Sequence, residues 1–321
     1  MQLRLMWRVY IVLVLVIMGA CRIAVADTNN ASRTESVLLN KFESVMSIQT
    51  RFLRDSEDVR QLPKREIAGL RVPFDYFVRA LDKLGNDALA DVLDHSDSVF
   101  VGAKAFASPA GLGVVHSKLC YVVILAQPNA FQIRKYFSES PVASASGASV
   151  WEWSPSLQEF GEEDSRPSSL YASQIEQSYI LVSNDVSEMR AVAGLLVSSV
   201  SKLPKAISTY DLELADQHVL WGYRQYRQAQ DVTAAGTLDV TRAARALVLF
   251  FDLEKMTLVL RLLESQTDGS TASKMTAGSK LPAFKPVGSG VWELTIPITD
   301  DQGTRERIFF IMWRFGFGAY I

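Results

Sequence analysis

The apolar pattern divides the chain into a short leader and a long globular region. Arg4 and Arg8 precede an unbroken apolar run, Val9 to Cys21, and Ala24-Val25-Ala26 stands before Asp27. A positive start, an apolar middle and a small-x-small end are the parts of a secretory signal peptide, with cleavage expected after Ala26. Arg22 ends the run after 13 residues, short of the roughly 20 that a spanning helix needs. The same residues allow two alternatives. Met18-Gly19-Ala20-Cys21 resembles a lipid-attachment site, with acylation at Cys21, and an uncleaved segment would anchor the chain to a membrane.

Residues 27–33 form a polar leader, expected to be mobile. Leu38, Phe42, Val45, Gln49 and Phe52 recur at helical spacing and predict a helix from Thr34 to about Arg54. Pro73, an apolar face of Phe74, Phe77, Val78, Leu81 and Leu84, and Gly85 predict a second helix. A shorter one is expected over 88–93. From Ser98 the period becomes two, giving strands over 98–106 and 114–125 around a turn at 108–113. Asn129 and Gln132 have capping-box spacing for a helix carrying Phe131, Ile133, Tyr136 and Phe137. Residues 138–149 read as loop, Trp151 to Trp153 as a short strand or turn, and 158–169 as an acidic loop. Tyr179 to Val182 is a strand, followed by an Asp185/Glu188 capping box and a helix with Met189, Val192, Leu195 and Leu196 inward. The two strand–helix units begin at Tyr121 and Tyr179, and a divergent internal repeat is one reading of them.

The last third is mostly strand. A segment over 218–227 is succeeded by 246–251 and 256–263, joined as a hairpin across Asp252 to Lys255. Residues 264–290 read as a long flexible loop, and Val291 to Ile298 as a strand that Pro297 assigns to an edge. The expected fold is α+β: N-terminal helices (about 34–95) packed on a largely antiparallel sheet, with one or two strand–helix units in the middle. Residues 34–321 form the globular region, with 34–205 and 206–321 as candidate subdomains.

Composition narrows the function classes. After cleavage the chain carries 30 basic and 35 acidic residues, a net charge of −5, which argues against nucleic acid as a partner. Cys120 is then the single cysteine, so no internal disulfide forms, and its apolar setting reads as a small buried hydrophobe rather than a reactive thiol.

No motif announces chemistry. Gly-x-Ser-x-Gly, a phosphate-binding glycine loop and clustered metal ligands are all missing from the sequence, so no catalytic residue, metal or cofactor is assigned. His95, His116 and His218 stand apart; Asp94-His95-Ser96-Asp97 reads as a helix cap, and Glu162-Glu163-Asp164 as a solvated loop. Asn30-Ala31-Ser32 would accept a glycan only in a eukaryotic secretory route. The candidate binding set is aromatic and basic: Trp151, Trp153, Trp221, Tyr223 and Arg224. Such side chains concentrate binding energy, though Trp and Tyr also fill sheet cores. The expectation is a non-enzymatic extracytoplasmic (periplasmic or secreted) module, either binding a protein, peptide or glycan or associated with the envelope. The alternative is a hydrolase whose site assembles only in three dimensions.

Overall fold

A computed structural model describes residues 30–51, 95–107, 115–128, 131–136, 140–153, 170–198, 215, 218–225, 244–252, 255, 257–264 and 283–297. The described chain is mostly antiparallel sheet with two helices. Helix α1 takes in described residues 30–41, so residues 30–33 of the expected leader are helical. Ala31, Val37, Leu38 and Leu39 turn inward, and Phe42 N–H donates to Leu38 O at 2.8 Å to close the helix.

The single long helix expected to Arg54 is therefore corrected: α1 stops at residue 41 and the chain turns to strand. Strand β1 is Ser44–Ile48, and all five residues are buried. Apolar spacing in Ser-Val-Met-Ser-Ile fits either period; pairing on both sides decides for the strand, a tertiary effect that local propensity cannot register. The strands after it are β2 (Ser96–Ala107), β3 (Val115–Leu125), β4 (Ala143–Ala145), β5 (Ala148–Trp153), β6 (Leu170–Ile175), β7 (Tyr179–Ser183), β8 (Leu220–Gln225), β9 (Ala244–Asp252), β10 (Thr257–Glu264), β11 (Lys285–Gly288) and β12 (Val291–Pro297). Helix α2, Val186–Val197, comes after β7. The expected helix after Asn129 is a single 3-10 turn at Ile133–Tyr136. The helices expected over 73–85 and 88–93 and the acidic loop lie outside the described residues.

The twelve described strands form one sheet in the order β11-β12-β10-β9-β8-β1-β2-β3-β7-β6-β5-β4. Strand β1 lies between β2 and β8, so one sheet joins the stretches before and after residue 205. Directly opposed residues share a face, and the registers trace a row: Val150, Ser173, Leu181, Val122, Phe100, Ser47, Trp221, Phe250, Val259. That face carries α1 and α2, whose Val37, Leu38, Met189, Val192 and Leu196 join the same core. The opposite face is also withdrawn from solvent, with Met46, Val101, Val123, Leu249 and Leu260 fully buried.

Turn chemistry sets the hairpins. Ser146 and Gly147 both have positive φ (49° and 83°), the backbone of a two-residue I′ turn. The expected loop over 138–149 is therefore partly the β4–β5 hairpin. The β9–β10 hairpin falls where expected, Asp252 opposite Thr257, with Lys255 N–H donating to Asp252 Oδ1 at 3.1 Å. Strand β11 lies inside the expected long loop. It pairs only with the first half of β12, leaving Pro297 opposite Thr257 on the other side. The two strand–helix units are antiparallel neighbours, Tyr121 facing Val182 and Ile124 facing Tyr179.

Candidate functional site

Charge concentrates where α2 meets β2 and β3. Lys104 and Lys118 face each other directly across the β2–β3 pair, an unfavourable arrangement for like charges. The first turn of α2 neutralises both: Lys118 Nζ lies 2.6 Å from Asp185 and Lys104 Nζ 3.0 Å from Glu188. Lys41, the last residue of α1, reaches the other Glu188 oxygen at 2.8 Å. Lys104 also lies over the Phe42 ring, 5.5 Å from its centroid.

Asp185 caps α2 as its sequence position implies, accepting the Glu188 N–H at 3.0 Å. The other half of the capping box is missing. Glu188 turns to the lysines, and the Asp185 N–H instead donates to Ser183 Oγ at 3.1 Å. Burial pushes the Asp185 carboxyl up, but hydrogen bonds from Lys118, Ser187 and the Glu188 amide hold it well below its usual value. For Glu188, burial is likewise outweighed by Lys41 and Lys104, and its carboxyl is lowered. Lys118 is raised, chiefly by its bond to Asp185. Beneath them lies Cys120, fully buried, whose thiol burial and then Glu188 push far above the usual range.

A second polar group gathers at one end of the sheet. Gln49 Nε2 donates to Ala215 O at 3.1 Å, and the buried Glu35 carboxylate accepts from Ala215 N–H at 3.4 Å. Thr50 Oγ1 donates to Ser96 O at 2.8 Å. His218 stacks on Phe250 at 4.3 Å between ring centroids. His95 directly precedes β2, whereas His116 faces Phe106 near that strand's far end. At about 3.4 Å per residue, the length of β2 keeps those two histidines from one site.

The aromatic set is divided by the sheet. Trp221 and Tyr223 are fully buried on the helix-bearing face, with near-parallel rings 6.4 Å apart. Burial raises the Tyr223 hydroxyl to about 12. Arg224, one residue on, belongs to the opposite face and is half-buried. Trp151 shares that opposite face, opposed to Ala172, but sits on β5, six strands away from β8. Trp153 pairs with Leu170 on the same strand as Trp151. The structure thus brings Trp221 and Tyr223 together in the core and leaves the other three apart from them. The lysine–carboxylate cluster it assembles instead draws on α1, β2, β3 and α2. Only the Asp185/Glu188 spacing hinted at it.

Among the described residues there is no group of three or more His, Cys, Asp or Glu placed to hold a metal ion, and no helix is long and apolar enough to cross a membrane. No protein-family model matches the chain, and no curated protein matches it. The chain is similar to solved structures of TP0453. Crystal form IV gives a TM-score of 0.46 at 9% identity, covering 86% of this chain and 95% of that one. Crystal form I gives 0.45 at 8%, covering 88% and 97%. At this identity and TM-score the likeness bears on neither site nor activity.

Proposed function

We propose that the chain is exported, is cleaved after Ala26, and works outside the cytoplasm as a non-enzymatic binding or envelope-associated module, its partner a protein, peptide or glycan. The export half rests on Arg4, Arg8, the apolar run and Ala24-Val25-Ala26. The observation that carries the binding half is where Cys120 and the carboxylates of Asp185 and Glu188 sit among the described residues. The Cys120 thiol is sealed in the core with a raised pKa, and the carboxylates of Asp185 and Glu188 are held by lysines. Nucleophilic and acid–base work need such groups accessible and poised near neutrality. Of the aromatic-basic set, Trp151 and Arg224 keep solvent contact, while Trp221 and Tyr223 are buried in the core.

The test uses the mature chain, residues 27–321, on glycan and peptide arrays, alongside chromogenic ester, peptide and glycoside substrates. Trp151→Ala or Arg224→Ala should weaken a hit about tenfold, roughly 1.4 kcal/mol, with a smaller loss of stability than a core truncation brings. Trp221→Ala should instead destabilise the fold by about 3–5 kcal/mol. Turnover of any substrate would replace this reading with the hydrolase. Intact mass of the protein from its native host tests the export half: the expected chain starts at Asp27. A mass keeping residues 1–26 overturns cleavage, and a lipid-bearing start at Cys21 substitutes the anchored form.

A further inference from the structure

We draw no further inference here: the strongest candidate, the cluster of Lys41, Lys104, Lys118, Asp185 and Glu188 above Cys120 where α2 meets β2 and β3, has its charges neutralised within the fold, and nothing in the structure shows a ligand that would displace one.

Discussion

Glu188, in the first turn of α2, lies 2.8 Å from Lys41 at the last residue of α1, so a single carboxylate joins the two described helices. Their side chains are 11% and 17% exposed, and Lys104 shares the same carboxylate. Removing one member of a mostly buried pair leaves the other desolvated without compensation. Glu188→Ala is therefore expected to cost roughly 2–4 kcal/mol, read as a lower urea midpoint at unchanged slope. In a double-mutant cycle with Lys41→Met, a coupling below about 0.5 kcal/mol would mean the two side chains act independently and the bridge does not join the helices.

The same cluster sets an acid limit. Both carboxyls are lowered in the folded chain, so their ionised forms favour folding. That contribution is complete above the unfolded-state values, roughly pH 4, and is lost as pH falls through the depressed folded values. Stability should hold from pH 7 to about 5 and decline steeply below about 4. The Asp185→Asn/Glu188→Gln chain should decline less over that acid interval. Urea unfolding at each pH makes the comparison, and equal slopes in the two chains would remove these groups from the explanation.

Much of the sheet is legible along the chain because each strand's own residues carry the signal. Ser96–Ala107, Val115–Leu125 and the hairpin across Asp252 and Lys255 lie within a few residues of where alternation puts them. Strand β1 is not legible. Five residues, apolar at Val45, Met46 and Ile48, fit a helix as well as a strand, and the partners that decide lie far off in sequence at Ile48's neighbours Val99 and Leu220. The cluster around Glu188 fails for the same reason, since Lys41, Lys104 and Lys118 come from three elements. The aromatic set carried a usable signal: in Trp221-Gly222-Tyr223-Arg224, period two sends Arg224 to the face opposite the aromatics.

Gly102 is placed by Phe42. It sits on the helix-bearing face of central β2, opposite Val45 and Cys120, and a Cβ there would fall inside contact distance of the Phe42 ring. Gly102→Ala should cost about 1–3 kcal/mol as an overpacked core. Adding Phe42→Leu should recover part of that loss. A Gly102→Ala chain with an unchanged melting temperature would show that the ring moves aside freely.

The β6–β7 turn contains removable strain. Glu176 and Gln177 have φ of 49° and 59°, and Ser178 N–H donates to Ile175 O at 3.2 Å across them. L-residues adopt this region at a cost of roughly 1–2 kcal/mol each, and I′ turns favour Asn-Gly. Gln177→Gly gives back part of that gain through its freer unfolded chain. The net expectation is a stabilisation of about 0.5–1 kcal/mol. A loss of stability would point instead to contacts of the Gln177 side chain as the stronger effect.

Cys120 supplies a probe for the whole sheet. It stands on β3 in register with Gly102 and Ser183, fully buried, with its thiol held protonated by burial and by Glu188. A thiol reacts as its thiolate and needs access, so both conditions fail in the folded chain. In residues 27–321, native labelling by a thiol reagent should be slow and should track unfolding as urea is added. Glu188→Ala should accelerate labelling by lowering the stability that guards it. Cys120→Ser should cost about 1–3 kcal/mol, because a hydroxyl is costlier than a thiol to withdraw fully from water. Rapid stoichiometric labelling of the unperturbed chain at neutral pH would overturn this placement of Cys120, and with it the main support for a non-enzymatic reading.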